Sequence, residues 1–252
     1  MKLPLQLTIA ALCLAITVPT AHTAELIGKM QTLGSFAIDR TEVTVGQFRR
    51  FTDATGTKTK AEKNGGGLVY GAGWEQKPGW SWRTPFGKPA ADNEPAVHIT
   101  YDEAQAYCRW AGKRLPTDAE WTKAAYHEIR AAPSKPFVQG KTYPYPTGLS
   151  PQGANCLGDC GSTPALDHSA VLEQGRGHAA AGTTKAGVNG LYDMGANVWE
   201  WVDTGNADSA SKGTRGGSWW YGAAQMRRDY EASKPRDMAV VYIGFRCVKD
   251  LK

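Results

Sequence analysis

Between Gly190 and Trp201 the chain reads Gly-Leu-Tyr-Asp-Met-Gly-Ala-Asn-Val-Trp-Glu-Trp, a run in which turn-forming residues alternate with large apolar ones. Glycine and asparagine interrupt regular elements, whereas tryptophan and valine seek burial, so this run must fold as irregular backbone inside a core. The same texture recurs in Arg215-Gly-Gly-Ser218 and Gly244-Phe-Arg246-Cys247. Glycine at 29, proline at 14 and tryptophan at 9 of 252 residues extend the argument to the whole chain. A loop-rich α+β protein pinned by aromatic packing is expected, without long helices.

Helix starts are legible. Thr44 can cap a helix carrying Val45, Phe48 and Phe51 on one face and ending near Gly56. Thr100 with Glu103 and Thr117 with Glu120 are capping boxes, the first opening a helix that closes at Gly112. Candidate strands are Phe36–Asp39, His98–Thr100 and Val240–Phe245. The stretch 64–93, with Trp74, Trp80 and Trp82, reads as a surface loop, and Asp208–Gly213 as a flexible connection.

Residues 1–24 have the pattern of a secretory signal peptide: Lys2, an apolar stretch from Leu3 to Val18, then small residues before Glu25. The apolar stretch is too short and too interrupted for a spanning helix, so export without membrane insertion is expected, with the periplasm as destination and residues 25–252 as one domain. A formal charge of +5 with no basic run argues against nucleic acid as a partner. Cys108, Cys156, Cys160 and Cys247 suit an oxidising compartment and allow three pairings. Cys156 and Cys160 lack the partners of a tetrahedral zinc site.

Asp193 and Glu200 flank a Gly/Ala/Asn turn, a hard-oxygen arrangement that calcium can use. Trp219, Trp220 and Tyr221 form an aromatic run of which one or two side chains are expected to face a ligand. His98, His127, His168 and His178 show no metal spacing and read as core or surface residues. Ser218 lacks a G-x-S-x-G context, which excludes the usual serine hydrolase.

Taken in order, Gly112-Lys-Arg-Leu-Pro116-Thr-Asp-Ala-Glu120-Trp121, Gly190–Trp201, Arg215–Ser218 and Gly244–Cys247 resemble the formylglycine-generating enzyme, or sulfatase-modifying factor, family across about 34–250. The resemblance implies an α+β sulfatase-modifying-factor fold related to the C-type lectin fold. It also implies a structural disulfide between Cys108 and Cys247, which leaves Cys156 with Cys160. Structural calcium would be held by Asp193 and Glu200 with the carbonyls of Ala196 and Val198. A second calcium would use Asn155 and the Cys156 carbonyl, with Glu173 as its acid.

The family's substrate groove maps to Trp199 and Ser218, extended here by Trp220, Tyr221 and Met226. In the enzyme branch two cysteines after R-G-G-S bind copper, and the matching positions here are Tyr221 and Met226. A phenol and a thioether cannot replace two thiolates around Cu(I), so copper and formylglycine-generating oxidase activity are not expected. The leading expectation is an exported factor for maturation or assembly that grips a polypeptide or peptide-derived substrate. The competing ones are an oxidative tailoring enzyme for a secreted peptide such as a siderophore, and a C-type-lectin-like ligand-binding module.

Overall fold

Four reciprocal capping boxes set the helices of the computed structural model, which describes residues 25–162 and 164–251. The stretch read as a signal peptide lies outside the described residues. Helix α1 (Val45–Thr55) is capped by Thr44 and Gln47 and stops at left-handed Gly56. Helix α2 (Lys60–Lys63) is a single turn capped by Thr59 and Glu62. Helices α3 (Tyr101–Trp110) and α4 (Asp118–Tyr126) start at the two boxes expected from sequence. In each box the threonine hydroxyl accepts from a backbone N–H while the acidic or amide side chain returns to the cap, so two orphan donors are satisfied at once.

Three small sheets complete the fold. Strands β1 (Met30–Thr32), β2 (Phe36–Asp39) and β9 (Val248–Asp250) form an antiparallel sheet in which Phe36 faces Asp250 and Ile38 faces Val248. Strands β3 (Gly66–Tyr70) and β4 (Trp74–Pro78) make a hairpin. Strands β5 (Trp199–Val202), β6 (Ser211–Arg215), β7 (Ala232–Pro235) and β8 (Ile243–Gly244) lie in the order β7-β6-β5-β8, with β5 and β8 parallel.

Several local expectations are corrected. His98–Thr100 is not a strand, because His98 takes φ 57° and turns the chain. Only Ile243–Gly244 of the 240–245 candidate pairs as a strand. The 64–93 stretch contains the β3–β4 hairpin, and Trp82 is fully buried, edge-on to Phe48 at 5.2 Å, so part of this segment belongs to the core while Trp74 stays exposed. The supposed connection 208–213 runs into β6, where Lys212 is buried with its ammonium over the Tyr101 ring and donating to the Ala207 carbonyl.

The main core lies between α1, α3 and the β5–β8 pair, and Phe48, Tyr107 and Phe245 meet there with ring centroids 5.4–6.3 Å apart. A second core packs Trp121 and Ala125 of α4 on Phe36, Ile38, Val202 and Val248. Cys108 of α3 is bonded to Cys247, just before β9, with Cα atoms 5.7 Å apart, and Cys156 is bonded to Cys160. Among the described residues no helix is long and apolar enough to cross a membrane.

Two outcomes follow from these contacts. Replacing Cys108 or Cys247 by serine removes a link across 139 residues and is expected to lower stability by roughly 2–5 kcal/mol, read from urea midpoints under oxidising conditions. His98 is wholly buried against Gly67, where an added Cβ would come within 2.1 Å of its Nδ1, and burial lowers its pKa from 6.5 to about 4. The unfolded chain therefore binds a proton that the folded chain refuses between those values. Stability should fall as pH drops from about 6.5 toward 4, by about 3 kcal/mol in all. Asparagine tolerates the same left-handed backbone, so His98→Asn should flatten that part of the profile in denaturation series at each pH.

Candidate functional site

The irregular run 190–201 is held by a buried ion-pair network. Asn189, Asp193, Ala196 and Asn197 all take positive φ, a conformation that needs support from tertiary contacts outside glycine. Asn189 is held by Glu128 and by the Ala124 and His127 carbonyls, Asp193 by Gly182 and Thr184, and Asn197 by Glu42 and the Ala179 carbonyl. Beside them Arg246 forms a two-pronged pair with Glu200 at 2.7 Å on each prong and donates to the carbonyls of Asp39 and Tyr192. Glu200 also accepts from Trp121 Nε1 at 2.7 Å. Beside it, Glu42 accepts from Asn197 and from the Val198 backbone N–H. Burial, with Asp193 and Glu200 nearby, raises the Glu42 carboxyl well above the ordinary range, so its protonated form is favoured.

This network engages the two carboxylates assigned to calcium. Asp193 accepts from Gly182 N at 2.6 Å and from the Thr184 hydroxyl at 2.5 Å, and Glu200 accepts from Arg246 and Trp121. Arg246 thus already supplies positive charge beside these carboxylates, and an ion held there with the Ala196 and Val198 carbonyls would share Glu200 with it. The second set is partly engaged. The Cys156 carbonyl accepts from Arg176, Glu173 is exposed, and the Asn155 carboxamide donates to Gly177 and Asn197 while its Oδ1 is buried without a partner.

The loop after Arg215 divides the expected substrate residues into two groups. Arg215 is fixed by a double contact with Asp118 at 2.6 Å, and Gly216 takes φ 94° where a Cβ would meet the Met194 carbonyl at 2.8 Å. This close approach explains the paired glycines. Ser218 is fully buried and its hydroxyl accepts from Trp220 N, shaping the turn that sends Trp220 and Tyr221 outward. Met226 is likewise buried, packed with Cys156, Cys160 and Ala196, so it is not a substrate contact. Tyr221 instead joins Trp199 and Tyr242 at 5.7 and 5.9 Å. The two positions that match the copper cysteines have therefore become parts of separate clusters.

An aromatic face results. The hairpin contributes Tyr70 and Trp74, 41% and 50% exposed, the loop contributes Trp220 and Tyr221, and Tyr230 borders Trp199 at 6.1 Å. Tyr242 stacks under Trp220 and shares a hydroxyl–hydroxyl hydrogen bond with Tyr221. Lys234 of β7 lies 5.4 Å over the Trp199 ring, and no acid pairs with it among the described residues. Burial lowers its pKa. The face offers flat rings, phenol hydroxyls and one ammonium that is without a counter-ion.

Sequence spacing missed one further convergence. His168 and His178 both reach Glu94 with their Nε2 atoms, at 3.0 and 2.8 Å. The participants are separated by 74 and 84 positions from Glu94, so no local pattern marks them.

Comparison with known proteins agrees with this architecture. Residues 20–251 match the family model described as sulfatase-modifying factor enzyme 1-like domain. The formylglycine-generating enzyme of Thermomonospora curvata is 30% identical over 92% of this chain and 88% of its own length. The mouse protein named inactive C-alpha-formylglycine-generating enzyme 2 is 29% identical over 91% of this chain and 80% of its own. The solved structure of PvdO from Pseudomonas aeruginosa superposes with a TM-score of 0.59 at 22% identity, covering 86% of this chain and 80% of that one. The chain belongs to the sulfatase-modifying factor family and has its α+β fold.

The ion-pair network gives a direct test of what holds the site. Arg246→Met strands a buried carboxylate and is expected to cost about 3–5 kcal/mol, whereas the double variant Arg246→Met/Glu200→Leu removes both charges and should recover part of that loss. Urea midpoints of the two variants measure the difference.

Proposed function

We propose that this protein is an exported maturation or assembly factor that holds a polypeptide or peptide-derived substrate on the aromatic face, without copper-thiolate chemistry. The observation that carries the reading is the replacement at the two cysteine positions: Tyr221 now builds an open face with Trp220 and Tyr230, while Met226 is sealed beneath the loop. Peptide side chains and backbone amides suit such a surface, because indole and phenol groups combine apolar area with hydrogen bonding. Lys234 would receive a carboxylate of the substrate. Two disulfides among the described residues support an oxidising destination, and the periplasm is the compartment proposed.

The test is capture of secreted peptides by the purified chain followed by mass spectrometry. A peptide enriched by the unmodified protein should be lost with Trp220→Ala/Tyr221→Ala, whose melting temperature should stay close to that of the parent because both side chains are partly exposed. Equal capture by the double variant would place binding elsewhere. Elemental analysis after exposure to calcium and Cu(I) accompanies it. Stoichiometric copper that disappears in Tyr221→Phe or Met226→Leu would make the protein an oxidase with a new ligand set. Calcium that survives dialysis would support a structural ion held beside Arg246 by Asp193 and Glu200.

A further inference from the structure

Glu94, His168 and His178 lie outside the aromatic face and take no part in the reading above. Their three donor atoms, the two Nε2 and one carboxylate oxygen, are all within 4.8 Å of one another. Both imidazoles address the same oxygen, Oε2, at 3.0 and 2.8 Å. The other oxygen accepts from Ala91 N at 2.6 Å, which fixes the carboxylate plane. Glu94 and His178 are buried, with side-chain exposures of 1% and 0%, while His168 is 28% exposed and forms the open rim.

The protein holds the two histidines in place independently of Glu94. Ala165 and Ala179 form a bridge between the two histidine segments, and Leu166 N donates to the His178 carbonyl at 3.1 Å. Ser169, fully buried, donates its hydroxyl to the Leu166 carbonyl at 2.6 Å. Phe86 walls the cluster with its ring 4.9 Å from the His178 ring and 6.3 Å from the His168 ring.

The trio directs two Nε2 atoms at a single carboxylate oxygen, which is the convergence a shared cation would use. Burial also holds the His178 imidazole toward its neutral form, the form in which a ring nitrogen carries a lone pair for a metal. With an ion between the three donors, the Nε2 lone pairs and the carboxylate charge all face the cation. Ligand bonds of about 2.0–2.2 Å to nitrogen and oxygen require donors a little over 3 Å apart, which small side-chain rotations supply here.

We propose that Glu94, His168 and His178 form a binding site for one divalent first-row transition-metal ion. Two imidazoles and one carboxylate leave at least one coordination position for water or another ligand, opening on the His168 side, a pattern shared by zinc and ferrous sites. The site connects to the aromatic face through rings. Phe86 is 6.0 Å from Trp219, and Trp219 is 5.3 Å from Trp220.

Metal titration of the chelator-treated, purified chain tests this with Co(II) and Zn(II) as probes. The expected result is one equivalent of Co(II) with the visible bands of a four- or five-coordinate ion, displaced by Zn(II), and a rise in melting temperature with either metal. Because a His178 variant can fail to fold, the ligand change is made at the rim. His168→Asn should keep the circular dichroism of the parent yet weaken Co(II) binding by more than the roughly 10–100-fold that an outer partner is worth. Glu94→Gln should abolish the metal-dependent rise in melting temperature. Absence of saturable Co(II) and Zn(II) binding to the unmodified chain, or equal affinity in His168→Asn, would overturn the assignment and leave the trio as a hydrogen-bonded brace.

Discussion

The contact between Arg246 and Glu200 is the constraint from which the rest of the architecture follows. One guanidinium joins β5, through Glu200, to the Asp39 carbonyl at the end of β2 and to the Tyr192 carbonyl in the irregular run. Trp121 adds α4 to the same carboxylate. Sheets this small bury too little surface to position one another by packing alone. A fully buried, two-pronged pair with every prong satisfied supplies direction as well as energy, because misplacing any one of these segments would strand a charge away from water. Glu42 adds a further buried carboxyl to the network, its pKa raised by burial and by the neighbouring Asp193 and Glu200.

This internal economy separates the scaffold from the chemistry it supports. The loop from Arg215 to Met226 is anchored at its start by Asp118 and at its end by burial of Met226 among the Cys156–Cys160 cluster. Its middle is free to present whatever side chains the sequence supplies. Here these are Trp220 and Tyr221, which rest on Tyr242 and Trp199. A surface of rigid rings loses little side-chain freedom on binding, since each ring has only two torsions to fix, whereas a metal-thiolate centre demands exact donor chemistry. The same backbone can therefore keep a binding surface after the oxidising centre has gone.

Helices α1, α3 and α4 and the family were legible in the sequence because both depend on short-range signals, while the single turn of α2 was not. Thr100 with Glu103 and Thr117 with Glu120 act over three residues, and the motifs from Gly112 to Cys247 are contiguous strings. The aromatic run that includes Trp220 and Tyr221 is contiguous in the same way, and both side chains are partly exposed. What stayed hidden depends on distant partners. Arg246 pairs with Glu200 across 46 positions, a partner that a local reading of two acids around a turn does not contain. Met226 was assigned to the substrate surface by its position in a string, while its burial is set by Cys160, 66 positions away. The β3–β4 hairpin is hidden by its glycines, and the burial of nearby Trp82 depends on Phe48, 34 positions away.

The pairing of β2 with β9 places segments from opposite ends of the described chain in one sheet, and the Cys108–Cys247 bond reinforces the same closure. Folding order is thereby dictated. Helices α1 to α4 can form early from local signals, but Ile38 has no cross-strand neighbour at Val248, and Glu200 has no guanidinium, until the segment 246–250 arrives. Its most distant contacts can be made only once that last segment is in place, and contacts of such long sequence separation close slowly. The same segment carries the thiol that locks the closure, so joining the two ends covalently requires oxidising conditions.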